Sequence, residues 1–163
     1  KENFVMKIAV VMGSKSDLPK LESGIDLIKS YGIEVVVRIL SAHRTPMELT
    51  SFLDEIKDNT DVIIAAAGKA AHLPGVIAAQ TLIPVVGLPI KSSTMDGLDS
   101  LLSIVQMPSG IPVATVTIDS GMNAALMAIQ IASVKYPVLR EKLAGYRKEM
   151  EEKVLADDAS VEF

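Results

Sequence analysis

At 163 residues, 49% hydrophobic and 22% charged, the chain has the length and apolar content of one folded domain, which excludes a disordered polypeptide. Its net charge of -4 and pI near 5.2, with no basic patch, argue against nucleic acid as a partner. The absence of cysteine excludes disulfides and thiolate metal sites, and no apolar run approaches the roughly 18 residues of a membrane span.

The opening KENFVMK lacks the apolar stretch of a signal peptide. Met6 is a candidate natural start, and a cytoplasmic protein is expected. The first predicted strand is KIAVVM (7–12), followed by the loop GSKSD (13–17) and a helix over 18–31. Gly13 suits a tight turn, Ser14 and Ser16 offer hydroxyls, and Asp17 can cap the helix. Exposed helix N–H groups there favour an anion, although a plain capping turn explains GSKSD equally. The second strand is IEVVVRIL (33–40), and SAHRTP (41–46) follows it. Thr45, Pro46 and Glu48 match a capping box with proline at the first helical position, so a helix is expected over 46–57. A cap needs neither His43 nor Arg44, whereas a guanidinium beside a helix N-terminus suits a phosphate. After the third strand, DVIIAAA (61–67), comes GKAAHLPG (68–75), in which Gly68, Ala70 and Ala71 permit close approach of a ligand. There Leu73 and Pro74 give a dry wall, and Gly75 opens a helix over 75–82. His72 also fits a simple cap.

Strands PVVGLP (84–89) and PVATVTI (112–118) alternate with helices over 98–106 and 121–134. The strands are apolar almost throughout, as strands covered on both faces must be. Alternating strands and helices predict an α/β fold, a central parallel sheet with helices on both faces, spanning 7–134. A trailing helix over 137–155 carries Leu139, Leu143, Tyr146, Met150 and Val154 on one stripe. That stripe suits packing on its own domain or docking on a neighbouring subunit. The end, ADDASVEF, is expected to fray.

In such sheets ligands bind beyond the carboxyl ends of the strands. Both histidines of the chain fall in loops at that end, on what read as adjacent strands, beside hydroxyls, Asp17 and Arg44. The joint reading is a pocket for a small phosphorylated ligand with acid/base chemistry. No G-x-G-x-x-G follows the first strand, and Ile63 stands where a P-loop ending in Gly68-Lys69 needs its first glycine. No G-x-S-x-G elbow is present. Two histidines without clustered carboxylates make a poor metal site, so no metal, ATP or redox cofactor is expected.

GSKSD, SAHRTP, AAHLPG, DSLLSIVQMPSGIPVATV and D-x-G-x-N-A-A-L (119–126), in that order, resemble the PurE family over roughly residues 7 to 154. The resemblance implies a flavodoxin-like three-layer α/β/α sandwich, a homo-octamer, and a last helix that reaches another subunit. It implies a step of purine biosynthesis, the conversion of N5-carboxyaminoimidazole ribonucleotide to 4-carboxy-5-aminoimidazole ribonucleotide. His43 would be the general acid/base, a role that suits a side chain titrating near neutrality. Ser14, Ser41 and Arg44 would hold the 5′-phosphate, and Asp17 the ribose, with Ser16 supporting the loop. Gly68, Ala70, Ala71 and Leu73 would wall the imidazole and the migrating carboxyl group, and His72 would shape the pocket or bind the carboxylate. Lys69 departs from the small residue, often glycine, that many members carry. It is either a solvent-facing side chain or an extra cation near the carboxylate. The D-x-G-x-N loop is shorter than in familiar bacterial members. Two alternatives stay open: direct carboxylation of aminoimidazole ribonucleotide by CO2, and a non-catalytic ribonucleotide-binding module.

Overall fold

The computed structural model describes residues 5–162; residues 1–4, ahead of the candidate start, and Phe163 lie outside them. Continuous apolar runs form the strands β1 (Lys7–Met12), β2 (Glu34–Ile39), β3 (Val62–Gly68), β4 (Val85–Ile90) and β5 (Ala114–Thr115). The helices are α1 (Leu18–Ser30), α2 (Pro46–Ile56), α3 (Leu73–Ala78), α4 (Leu98–Val105), α5 (Gly121–Ala132) and α6 (Val138–Ala159). All strand pairs are parallel, in the order β2-β1-β3-β4-β5, which is the flavodoxin-like order.

The two-residue side-chain period of each inner strand divides the core into two layers. Ile8, Val10 and Met12 of β1 and Val62 and Ile64 of β3 pack with Leu21, Ile28, Ile129 and Leu139 of α1, α5 and α6. On the other face, Ala9, Val11, Ile63 and Ala65 pack with Leu49, Phe52, Ile77 and Ile104 of α2, α3 and α4. The edge strand β2 differs: Glu34, Val37, Arg38 and Ile39 are exposed.

Several expected boundaries move. The fifth strand shrinks to two residues. Val116 N donates to Gly87 O and Asp119 N to Pro89 O, so three residues advance against two on β4. That bulge ends the ladder, with Asp119 at φ 60°. Helix α3 opens at Leu73, placing Pro74 in the first turn and Gly75 inside the helix rather than at its start. Helix α6 runs to Ala159, beyond the expected end at residue 155, with no glycine or proline after Gly145 to stop it; of the end expected to fray, 156–159 are helical, 160–162 are not, and Phe163 lies outside the described residues. The first half of α6 packs on its own sheet layer, with Leu139 and Leu143 buried and Lys142 Nζ donating to Tyr31 O at 2.7 Å. Met150 and Val154 of the same stripe stay 53% and 66% exposed.

Candidate functional site

The carboxyl ends of β1 to β4 open into one cleft of about 630 Å³. The loop after β1 is held by its own side chains. Ser14 Oγ lies 2.8 Å from Ser16 Oγ and accepts from Ser16 N, while Asp17 Oδ2 accepts from Ser14 N at 3.2 Å. The reciprocal capping box therefore forms here, on the 3-10 turn Lys15–Asp17. It does not form at Thr45, whose backbone (φ -135°, ψ 53°) turns its hydroxyl away from α2. Thr45 Oγ1 instead accepts from Ser41 N at 2.9 Å and donates to Ser41 O at 3.2 Å, locking the SAHRTP turn. Asp17 precedes α1 but makes no side-chain cap to it, because its carboxylate serves the loop. Gly13 takes no left-handed backbone, so the expected glycine turn is not what shapes this loop.

The turn after β2 leans across the end of β1. Arg44 Nη2 donates to Gly13 O at 2.7 Å, and Arg44 N and Nε both donate to Ser41 Oγ at 3.3 Å. This lean corrects one expectation and explains another. Strands β2 and β3 are not adjacent, since β1 lies between them. Even so, the two histidines touch: His43 Nε2 lies 2.7 Å from His72 Nδ1, with the rings edge to face at 74°. One ring must donate and the other accept, so the contact fixes a tautomer pair. His72, directly before α3, makes no side-chain cap to it.

Of the residues singled out in the sequence, Ser14, Ser16, Asp17, Ser41, His43 and Arg44 line the cleft from the first two loops. Gly68, Lys69, Ala70, His72 and Leu73 line it from the third. Ala71 is the exception: it is buried in the core layer beneath the wall. Lys69 holds φ 58°, a left-handed backbone that a glycine adopts freely and a lysine rarely does. Burial raises the Asp17 carboxyl above 3.8, only partly offset by the Ser14 N–H and the Ser16 hydroxyl; the Asp119 charge adds to the rise.

The fourth loop was missed. Ile90, Lys91, Ser92 and Ser93 complete the cleft wall. The rule that selected the other loops, position after a strand's carboxyl end, applies equally to β4. Among the described residues no group of three or more His, Asp or Glu side chains is placed to hold a metal ion. The arrangement offers a fixed guanidinium with hydroxyls at one end, a coupled imidazole pair in the middle, and two lysines on the far wall. It can bind a small dianion and move a proton beside it.

A family model described as AIR carboxylase matches residues 7–153. An N5-carboxyaminoimidazole ribonucleotide mutase of Pyrococcus horikoshii is 51% identical over 148 residues, spanning 90% of this chain and 84% of that protein. The mutase of Saccharolobus solfataricus is 48% identical over 151 residues, spanning 92% and 96%. The crystal structure of Treponema denticola PurE superimposes with a TM-score of 0.88 at 30% identity, covering 96% of this chain and 99% of that one.

Proposed function

The chain belongs to the AIR carboxylase family, and on that premise we propose that it converts N5-carboxyaminoimidazole ribonucleotide to 4-carboxy-5-aminoimidazole ribonucleotide by loss and recapture of CO2. It is an enzyme of purine biosynthesis, with the mutase activity that relatives near 50% identity carry in their names. In the first half of the reaction the bond from the exocyclic nitrogen to the carboxyl carbon breaks, CO2 leaves, and the nitrogen takes a proton. In the second, C4 attacks the same CO2 and its C–H proton departs. One proton is given and one returned, so a single acid/base suffices. His43 fills that role: it lines the cleft, and His72 at 2.7 Å fixes its ring. Arg44, Ser41 and Ser14 hold the phosphate, Asp17 the ribose, and the wall from Gly68 to Leu73 keeps CO2 from escaping. Lys69 stands on that wall as a further cation. The family resemblance carries the reading of a homo-octamer in the cytoplasm, and the apolar side chains that α4 and α6 leave exposed support self-association.

The observation that carries this reading is the His43–His72 contact beside the Arg44 anchor, since a plain binding site needs no imidazole pair. The test is product formation from two substrates. Conversion of N5-carboxyaminoimidazole ribonucleotide without added bicarbonate is expected. Efficient conversion only of aminoimidazole ribonucleotide with CO2 would make the protein a direct carboxylase. Binding without turnover of either would make it a ribonucleotide sensor.

A further inference from the structure

The fourth loop carries a cation for which the reaction above has no stated use. Lys91 follows Ile90, and Ile90 pairs with Gly68 across the β3–β4 ladder. Lys69 and Lys91 are therefore equivalent next residues on neighbouring strands, and both line the cleft. Strands lie about 4.8 Å apart, so β1, whose end Arg44 reaches at Gly13 O, and β4, which carries Lys91, stand roughly 10 Å apart with β3 between them. A ribonucleotide bound with its phosphate at Arg44 points its base, and the carboxyl group on it, toward β3 and β4.

The backbone of Lys91 is pinned by a half-buried carboxylate network, while its side chain is held only by an exposed ion pair. Lys91 N donates to Asp119 Oδ1 at 2.8 Å, and Asp119 Oδ2 is held by Lys20 Nζ at 2.9 Å. Behind it, Ser92 Oγ donates to Asp99 Oδ2 at 3.2 Å. The ammonium itself meets Asp96 Oδ1 at 2.6 Å, and that carboxylate is 82% exposed. Asp96 stands in a run of three left-handed residues, Met95, Asp96 and Gly97, at φ 50°, 59° and 95°. Hydrogen bonding to Asp96 raises the Lys91 ammonium above the ordinary lysine value, with the Asp96 charge adding, so the group stays cationic. An ion pair this exposed is weak and exchanges readily for another anion. Asp96 thus occupies the cation in the free protein without committing it.

We propose that Lys91 is a substrate-contacting residue that exchanges Asp96 for the carboxylate under transfer, and so distinguishes carboxylated from decarboxylated ribonucleotide. This rests on the functional reading above. The carboxyl group is the one part of the substrate that changes position, and a mobile ammonium can follow it from nitrogen to carbon where a fixed hydrogen-bond donor cannot. Lys91 and Asp96 then have opposite effects on affinity, because Asp96 competes for the ammonium.

The test is calorimetric binding of 4-carboxy-5-aminoimidazole ribonucleotide and of 5-aminoimidazole ribonucleotide to the full chain, its Lys91→Met variant and its Asp96→Asn variant. Lys91→Met is expected to weaken the carboxylated ligand about tenfold and the decarboxylated one less than about twofold, as loss of one charge-assisted contact predicts. Asp96→Asn is expected to tighten the carboxylated ligand about two- to threefold, the weak competition of an exposed pair removed. Equal loss for both ligands in Lys91→Met would place the lysine on the phosphate and overturn the proposal. So would unchanged binding, or weakening by Asp96→Asn as well, which would make the pair a loop fastener. A wild-type protein that binds neither ribonucleotide would overturn the functional reading itself, and this inference with it.

Discussion

His43 and Asp17 are held in place by opposite means, and their substitution should read out differently. His43 is exposed and owes its orientation to one contact, the 2.7 Å approach of His72. Nothing in the core depends on it. His43→Asn should leave the melting temperature and ligand affinity nearly unchanged and lower kcat by at least about 10²-fold, the lower end for a general acid/base. Retained turnover in that variant would remove His43 from the mechanism. Asp17 is 8% exposed, and burial lifts its carboxyl above 3.8. A raised carboxyl keeps its proton in the folded state after the unfolded chain has lost it. Stability from this group is therefore complete below about pH 3.8 and is lost as pH rises through the raised value. Asp17→Asn retains an acceptor for Ser14 N and does not titrate. Its thermal stability relative to the wild type should climb across that acid window and then level off. Parallel pH profiles would show that Asp17 makes no such contribution.

At the scale of elements, the contact between α1 and α5 rests on two glycines meeting backbone to backbone. A Cβ on Gly24 would strike Gly121 O, and one on Gly121 would strike Lys20 O; neither obstacle is a side chain that can swing aside. Gly145, inside α6, faces open space. The same substitution should thus have opposite signs at the two sites. Gly24→Ala should destabilise by about 1–3 kcal/mol, the range for overpacking, despite its gain in helix propensity. Gly145→Ala should stabilise by about 0.5–1 kcal/mol. Chemical denaturation of both variants checks the pair, and a stabilised Gly24→Ala would mean that the helices can part at little cost. Neither effect can be read from the sequence, where both glycines are helix-breaking residues in helical stretches. What was legible follows from local rules. Apolar runs gave β1, β2, β3 and β4, and the rule that ligands bind beyond the strands' carboxyl ends, joined to the unexplained His43 and Arg44, gave most of the cleft. The placement of β1 between β2 and β3 was not legible, because strand order is set by crossovers and not by pattern. Neither assigned cap formed: the side chains of Asp17 and Thr45 leave α1 and α2 uncapped, and the capping box stands at Ser14. Ser14 and Thr45 are both good cap residues, and backbone angles that only the fold sets decide which one caps. Lys91 escaped because KSSTMDG carries no histidine or arginine to draw the eye.

For the molecule as a whole, the apolar surface left over is too ordered to be incidental. Leu98, Leu102 and Val105 expose 44%, 45% and 50% of their surface along one side of α4. Met150, Val154 and Leu155 do the same on the outer half of α6 at 53%, 66% and 59%. Helix α6 is anchored by Leu139 and Leu143 only in its first turns, so its second half carries an apolar stripe that its own sheet does not cover. Beside it, α5 and α6 border a groove of about 430 Å³ lined by Leu126, Met127, Tyr146 and Met150. A helix end of this kind gains most by lying against another copy, where burying the remaining half of each such side chain is worth about 1–2 kcal/mol. The proposed homo-octamer predicts a particle with eight times the mass of one chain by light scattering. The double variant Val154→Asp, Leu155→Asp should fall to a smaller species, because charges replace the stripe while the anchored half of α6 is untouched. Far-ultraviolet circular dichroism should show the variant's helices retained. A wild-type chain that scatters as a monomer would overturn the assembly, and so would a double variant that keeps the full mass, since the α6 stripe would then not be the contact.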